Sequence, residues 1–339
     1  SAKEINLDNL HISQGWLDSS VCFGEPGLEE RETIENGSLT ACLSGFTDII
    51  LNSNTLPVID SKADVIYVKS KNKNKALKIH PLGALTLKSE GSEMAELHEM
   101  FDSGAVGFYD YKTSVKNPNL LKTALQYVQH FDGLIMTFPF EKSICQNGQM
   151  NEGEISTLYG LEGIPSLSEE ITLERDLKIL EYTGGKLFIP TISTTKSVEL
   201  IKNAKQKGLQ IMTSVSINNI FFNEEKLINF DTRFKILPPL RSEEDRLILV
   251  NALSEGIIDF CTSDHCPIDI DNKKTDFKNS LFGATGLESI FGALNSLYKT
   301  EKVIEILTRK KGLFGIKNEV IDVGSKACMT LFNPKNKYI

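Results

Sequence analysis

The sequence predicts an α/β protein whose eight parallel strands close into a TIM-type (β/α)8 barrel. Short apolar, β-branched segments alternate with amphipathic helical segments along most of the 339 residues. Alternation of strand and helix is typical of a parallel sheet with helices on its outside. Eight strand–helix units in a chain of this length favour a closed barrel over an open doubly wound sheet.

The strands and helices follow one another in a regular order. The sequence predicts strands over residues 10–21, 46–51, 76–82, 105–110, 133–138, 186–192, 209–215 and 256–263. Helical patterns cover 29–44, 91–102, 119–130, 168–182, 196–206, 242–254, 287–297 and 302–307. The basic run 69–75 is interpreted as a solvated loop.

The composition excludes several classes of function. With 40% hydrophobic and 24% charged residues, the chain has the balance of a soluble globular protein. Its net charge of −8 argues against a nucleic-acid surface. No apolar run approaches the ~20 residues that cross a bilayer, so we expect no membrane partner and a cytoplasmic location. Six scattered cysteines without a CxxC pair are expected to be reduced thiols.

In a barrel, functional residues collect where the strands end and the following loops begin. At these positions the sequence has mostly small, polar or aromatic residues, and only two carboxylates and one imidazole of the kind that a metal centre needs. They are Ser20, Cys22, Asn54, Asp110, Phe138, Thr191, Asn218, Asn219, Asp264 and His265.

Several motifs resemble those of the dihydroorotase family of cyclic amidohydrolases. They include Glu-Pro-Gly-Leu-Glu-Glu-Arg (25–31), Asn-Thr-Leu-Pro-Val-Ile-Asp (54–60), Lys-Ile-Leu-Pro-Pro-Leu-Arg (235–241) and Ser-Asp-His-Cys-Pro (263–267). The resemblance extends from about residue 9 to 334 and implies an amidohydrolase-like barrel of pyrimidine biosynthesis. It also implies a dinuclear zinc centre that activates water and polarises an amide carbonyl.

The resemblance further implies a small β-rich domain built from both chain ends, of which we expect at most a remnant. Residues 1–325 are predicted to form the barrel, and 326–339 to begin a C-terminal β segment.

The positions that the resemblance assigns to the metal and the substrate have changed. The His-X-His positions are Ser20 and Cys22, and Gly24 occupies the position of the arginine that would bind the substrate carboxylate. The remaining histidine and asparagine positions carry Phe138, Phe188, Thr191, Asn218, Asn219, Leu237 and Ile268. Two phenylalanine rings in place of imidazoles should fill the mouth with apolar volume and make cation binding costly.

A few candidates for the site remain. Asp264 is the remnant of a catalytic carboxylate, and Asn54, Asn218 and Asn219 are candidates for substrate contact. If any metal binds, its ligands would come from Cys22, Asp110, Asp264 and His265. Structural roles compete with each assignment: a hydrogen-bonded strand end for Asp264 and His265, turns for the asparagines, and a core position for Cys22. Lys112 matches no carbamylated lysine of such sites and receives no role.

Two functions stay open at this stage. The first is a catalytically inactive dihydroorotase-like protein that needs no cofactor and acts by binding or assembly. Its partner would be a second copy, an aspartate transcarbamoylase or an active dihydroorotase. The second is an active hydrolase of a cyclic amide that uses a single zinc ion in a non-standard site.

Overall fold

The computed structural model describes residues 4–74 and 76–335. Its strands are β1 (His11–Gln14), β2 (Trp16–Val21), β3 (Phe46–Leu51), β4 (Lys78–Pro81), β5 (Phe108–Tyr109), β6 (Ile135–Met136), β7 (Met150–Asn151), β8 (Gly163–Ile164), β9 (Leu187–Ile189), β10 (Ile211–Ser216), β11 (Phe260–Thr262) and β12 (Met329–Phe332).

The helices are α1 (Ile34–Leu43), α2 (Lys62–Lys71), α3 (Leu97–Asp102), α4 (Pro118–Val128), α5 (Lys142–Cys145), α6 (Glu154–Tyr159), α7 (Ser166–Thr183), α8 (Thr195–Gln206), α9 (Ile217–Phe221), α10 (Glu243–Glu255), α11 (Ile270–Lys273), α12 (Ile290–Leu297) and α13 (Thr300–Thr308). Among the residues described, no helix is long and apolar enough to span a membrane.

Eight of the strands form the predicted barrel. They run parallel in the order β2-β3-β4 and β5-β6-β9-β10-β11. The two arcs join through a parallel bridge between Gly83 and Phe108, and through another between Val21 and His265. At the second junction the Cys22 N–H donates to the His265 carbonyl at 2.7 Å. The closed barrel confirms the predicted fold class.

The first predicted strand, 10–21, is divided into two at Gly15. β2 enters the barrel, whereas β1 pairs antiparallel with β12 from the far end of the chain. A Cβ at Gly15 would lie 2.1 Å from the Thr47 hydroxyl oxygen, so the crossing strands require a glycine there. β1 and β12 form a two-stranded antiparallel ribbon outside the barrel sheet, and the expected remnant of a β-rich domain stays a prediction. The domain boundary at residue 325 stays a prediction.

Three predicted helices were too long at their amino ends. One of them, 287–297, begins only at Ile290. α1 begins at Ile34 rather than 29, because the Thr33 side chain accepts from the Asn36 N–H and caps it. The segment before it folds as a loop, in which the Leu28 N–H donates to the Gly24 carbonyl at 2.9 Å. The predicted helix 91–102 begins only at Leu97.

Five of the helices in the described part of the chain were not predicted: α2, α5, α6, α9 and α11. The longest of them is α2. Residues 62–71 form α2, so the predicted loop 69–75 was wrong for its first three residues. Ser61 and Asp64 form a capping box at its start, which is a signal that the sequence carried. Lys69 and Lys71 lie in its last turn, where the helix dipole favours positive charge.

The buried residues form one shell between strands and helices and a second cluster inside the barrel. Inside the barrel, the ring centroids of Phe188, Phe260 and Phe314 lie 5.6–5.7 Å apart. Phe314 comes from the short helical turn Lys311–Phe314, whose Lys311 pairs with Asp48 of β3 at 2.9 Å. The turn packs its ring against Phe260, the first residue of β11, and so closes the amino end of the barrel.

Candidate functional site

A lysine–aspartate ion pair lies at the carboxyl end of the barrel. The Lys112 Nζ is 2.8 Å from Asp264 Oδ2, and the two side chains are only 12% and 4% exposed. Lys112 follows β5 and Asp264 follows β11, and both have a φ of 49°. Backbone strain of this kind is common at functional sites of proteins.

Burial and the ion pair act against each other on the pKa values. Burial raises the pKa of Asp264 above its usual value, and the Lys112 ammonium only partly offsets this. Burial lowers the pKa of Lys112, but the charge and hydrogen bond of Asp264, together with the neighbouring Cys266 and Cys22, outweigh it, so the pKa of Lys112 is raised. The second carboxylate oxygen of Asp264, Oδ1, has no hydrogen-bond partner among the described residues.

Two cysteines lie beside this pair. Cys22 directly follows the first barrel strand and Cys266 follows the last, and both are buried. Burial raises the pKa of the Cys22 thiol well above its usual range. A hydrogen bond from Cys22, together with the charge of Lys112, lowers the pKa of the Cys266 thiol. The Tyr111 ring lies 5.2 Å from the Lys112 Nζ and completes the cluster.

A small cavity lies beside Cys22 at this end of the barrel. A cavity of about 10 Å³ is lined by Cys22, Phe23, Gly24, Leu28, Arg31, Asn54, Cys266 and Pro267. A volume of this size holds about one water molecule. Two of its lining atoms, Arg31 Nε and Asn54 Oδ1, are buried and make no hydrogen bond within the described part of the chain.

Asp110 and His265 are held by other parts of the barrel. Asp110 accepts from the Thr86 N–H at 3.0 Å and from the Thr86 hydroxyl at 2.5 Å. The His265 Nε2 lies 2.8 Å from Glu32 Oε2, and its Nδ1 accepts from the Gly286 N–H at 3.2 Å. Both ring nitrogens and both carboxylate oxygens are therefore engaged inside the protein.

The two asparagines that follow the seventh barrel strand lie in α9, and one of them contacts the neighbouring loop. The Asn219 Nδ2 donates to the Pro239 carbonyl at 2.8 Å, whereas its Oδ1 and the Asn218 Nδ2 are without partners among the residues described. Phe138 and Phe188 are buried in the barrel interior, and Leu237 packs against the same cluster.

Comparison with known proteins decides the family. A family model described as Dihydro-orotase-like matches residues 11–197. The dihydroorotase of Thermoanaerobacter sp. is 35% identical over 342 residues, covering 99% of this chain and 79% of the relative. That of Pelotomaculum thermopropionicum is 33% identical and covers 98% and 80%.

The chain belongs to the dihydroorotase family.

Solved structures give the same fold at lower identity. The L-hydantoinase of Arthrobacter aurescens has a TM-score of 0.82 at 22% identity, covering 94% of this chain and 75% of that chain. The dihydroorotase of Saccharomyces cerevisiae in complex with 5-fluoroorotic acid has a TM-score of 0.72 at 14% identity, covering 91% and 86%. The dihydroorotase-family barrel is thus the scaffold on which the site residues must be judged.

The donors that this dihydroorotase-family chain retains do not fit a dinuclear zinc centre. Asp110 and His265 use their donor atoms on Thr86, Glu32 and Gly286, and Asp264 is paired with an ammonium ion. Within residues 4–74 and 76–335, no group of three or more histidine, cysteine, aspartate or glutamate side chains is arranged to hold a metal ion. A cation entering beside Asp264 would meet the like charge of Lys112, which disfavours binding.

The position that the resemblance assigns to a substrate-binding arginine is closed in this chain. A Cβ at Gly24 would lie 1.8 Å from the Leu28 carbonyl oxygen, so the turn of the 24–32 loop leaves no room for a longer side chain. This loop conformation therefore requires a glycine at position 24.

Sequence reasoning missed three residues of this site. No role was predicted for Lys112, Cys266 or Arg31. Lys112 forms the ion pair with Asp264, and the other two residues line the cavity beside Cys22. Lys112 comes two residues after Asp110, at the end of a predicted strand, and that position was the available signal.

Proposed function

We propose that this chain is a catalytically inactive member of the dihydroorotase family that acts as an assembly subunit. The observation that carries the proposal is the Lys112–Asp264 ion pair at the metal-binding end of the barrel. A fixed ammonium ion satisfies the buried carboxylate that a metal would otherwise neutralise. The protein therefore keeps its barrel without needing a metal cofactor.

The size of the site supports the same conclusion. Small-molecule sites usually measure about 300–1,000 Å³, whereas the cavity beside Cys22 and Asn54 measures about 10 Å³. Phe138 and Phe188 fill the barrel below it. A cyclic amide is too large for this cavity.

An assembly role needs surface that a partner can cover. The segment 320–329 lines an open groove of about 430 Å³, and its Val320, Ile321 and Val323 side chains are between 52% and 100% exposed. Contiguous exposed apolar side chains are typical of protein contacts. We propose another chain of pyrimidine biosynthesis as the partner, either an active dihydroorotase or an aspartate transcarbamoylase, with a second copy of this chain as the simplest alternative.

Metal content and activity test the first half of the proposal. The protein is produced in medium supplemented with zinc and is purified without chelators. An active dihydroorotase is produced and purified separately in the same way as a positive control. Elemental analysis should find no stoichiometric zinc, and the cyclisation of carbamoyl aspartate should not exceed the buffer rate. One zinc ion per chain together with turnover would overturn the proposal in favour of an active hydrolase with a mononuclear site.

Association tests the second half. The chain is mixed with the dihydroorotase and aspartate transcarbamoylase of its own organism and analysed by size exclusion with light scattering. A stable complex is expected, and Val323→Asp together with Ile321→Asp should weaken it while leaving the circular dichroism spectrum unchanged. A monomer in every mixture would overturn the assembly role without bearing on metal content.

A further inference from the structure

Two cysteines from opposite ends of the barrel sequence meet at its closing seam. Val21 and His265 form a parallel bridge between the first and eighth strands, so Cys22 and Cys266 are the next residues in register on each side. The Cys22 N–H donates to the His265 carbonyl at 2.7 Å, which holds the two chains together at this point. Both cysteines also line the same small cavity.

We propose that Cys22 and Cys266 are a reversible oxidation site in which a small peroxide converts the two thiols into a disulfide. Neighbouring parallel strands lie about 4.8 Å apart, and disulfides join Cα atoms separated by about 4.4–6.8 Å. Residues in register on parallel strands also direct their side chains to the same face of the sheet. The inference is independent of the proposed assembly role.

The reaction balances with hydrogen peroxide as the oxidant. The Cys266 sulfur attacks one peroxide oxygen, the O–O bond breaks, and a sulfenic acid and one water molecule form. The Cys22 sulfur then attacks the Cys266 sulfur, the S–O bond breaks, and the departing hydroxide takes the Cys22 proton as a second water molecule. Two thiols lose two electrons in total, and peroxide accepts them.

The surroundings favour small molecules as oxidants. Both thiols line the same cavity, so a peroxide that enters it reaches Cys266 with Cys22 beside it. The cavity accepts a molecule of about the size of water, so bulky disulfides such as glutathione disulfide should react slowly. Cys42 and Cys328 are less buried and provide internal controls.

The disulfide would connect the first and eighth barrel strands, which are separated by most of the chain. A cross-link across so long a loop restricts the unfolded chain strongly and should stabilise the closed barrel. Oxidation would thus be detectable as a change in melting temperature as well as in covalent structure.

Peroxide treatment of the full chain tests the proposal. The reduced protein is exposed to hydrogen peroxide, quenched with an alkylating agent, digested without reduction and mapped by mass spectrometry. A peptide pair joined through Cys22 and Cys266 is expected, with at least about tenfold slower formation when glutathione disulfide replaces peroxide. Dithiothreitol should reverse the link.

Variants separate this pair from the other thiols. The double variant Cys42→Ser with Cys328→Ser should form the disulfide as the unsubstituted chain does. Cys22→Ser should retain its fold by circular dichroism and lose the rise in melting temperature of at least about 4 °C that oxidation gives the unsubstituted chain. If Cys22 does not tolerate serine, the peptide map of the unsubstituted chain alone decides. Free thiols or sulfinic acids at both positions after peroxide treatment would overturn the proposal.

Discussion

Replacing Lys112 with methionine removes one partner of the buried ion pair at the barrel mouth. The substitution keeps most of the side-chain volume and deletes the ammonium group 2.8 Å from Asp264 Oδ2. Asp264 is 4% exposed, and its Oδ1 has no other partner among the described residues. The variant must therefore bury an unpaired carboxylate or protonate it.

Protonation limits the cost of the substitution. An unfolded aspartate has a pKa of about 3.9, so holding it protonated at pH 7 costs about 1.36 × 3.1, or roughly 4 kcal/mol. This agrees with the range of about 3–5 kcal/mol for breaking one partner of a buried ion pair. At pH 5 the same calculation gives about 1.36 × 1.1, or roughly 1.5 kcal/mol.

The sign of the pH dependence follows from the direction of the pKa shift. The pKa of Asp264 is raised in the folded protein by burial, and loss of Lys112 raises it further. The folded state then holds a proton that the unfolded state releases above about pH 4. The free energy of unfolding of Lys112→Met should therefore fall as the pH rises from 4 to 7.

Urea unfolding followed by circular dichroism at pH 5 and pH 7 measures this effect. The double variant Lys112→Met with Asp264→Asn is the matched control, since it carries no carboxylate to neutralise and should recover most of the stability lost at pH 7. A loss of less than about 1 kcal/mol at pH 7, or one that is equal at both pH values, would refute the role assigned to the pair.

Four further substitutions test three positions at the barrel end and one buried lysine elsewhere. Gly24→Ala should cost about 1–3 kcal/mol of unfolding free energy in urea titrations, because its Cβ would meet the Leu28 carbonyl at 1.8 Å. Phe188→Ala should cost about 3–5 kcal/mol by the same measurement, since the ring is fully buried. Asn54→Ala should change stability by less than about 0.5 kcal/mol, and a larger loss would mean a structural role. Burial lowers the pKa of Lys235 to about 8, so the unfolded chain binds more protons above that pH. Stability should rise between about pH 8 and 10 through this group, and Lys235→Met should show a smaller rise in urea titrations across that range.

The repeating pattern of the sequence predicted most of the fold. All eight barrel strands were found, and the limits of Phe46–Leu51 were correct to the residue. These strands are buried on both faces, so they are continuous apolar runs that are easy to recognise. The largest errors in helix bounds occurred at helix starts. At the start before Ile34, for example, a loop and a first helical turn have similar composition.

The site was predicted less completely. Sequence comparison with the family's motifs identified what was absent at Phe138 and Phe188, because motif positions are read along the chain. It did not identify Lys112, whose partner lies 152 positions further along. It also assigned His265 to a candidate metal site, although its two ring nitrogens contact Glu32 and Gly286.

The sequence by itself determined the barrel, its family and the residue types at the positions that the resemblance assigns to metal ligands. These properties depend on local periodicity and on residue identity at fixed positions. Only the tertiary structure decided what took the place of the lost side chains. The Lys112–Asp264 pair, the closed loop at Gly24 and the approach of Cys22 to Cys266 all depend on the closing of the barrel. Closure brings together residues that are distant in the chain, and no short-range pattern encodes which of them will meet.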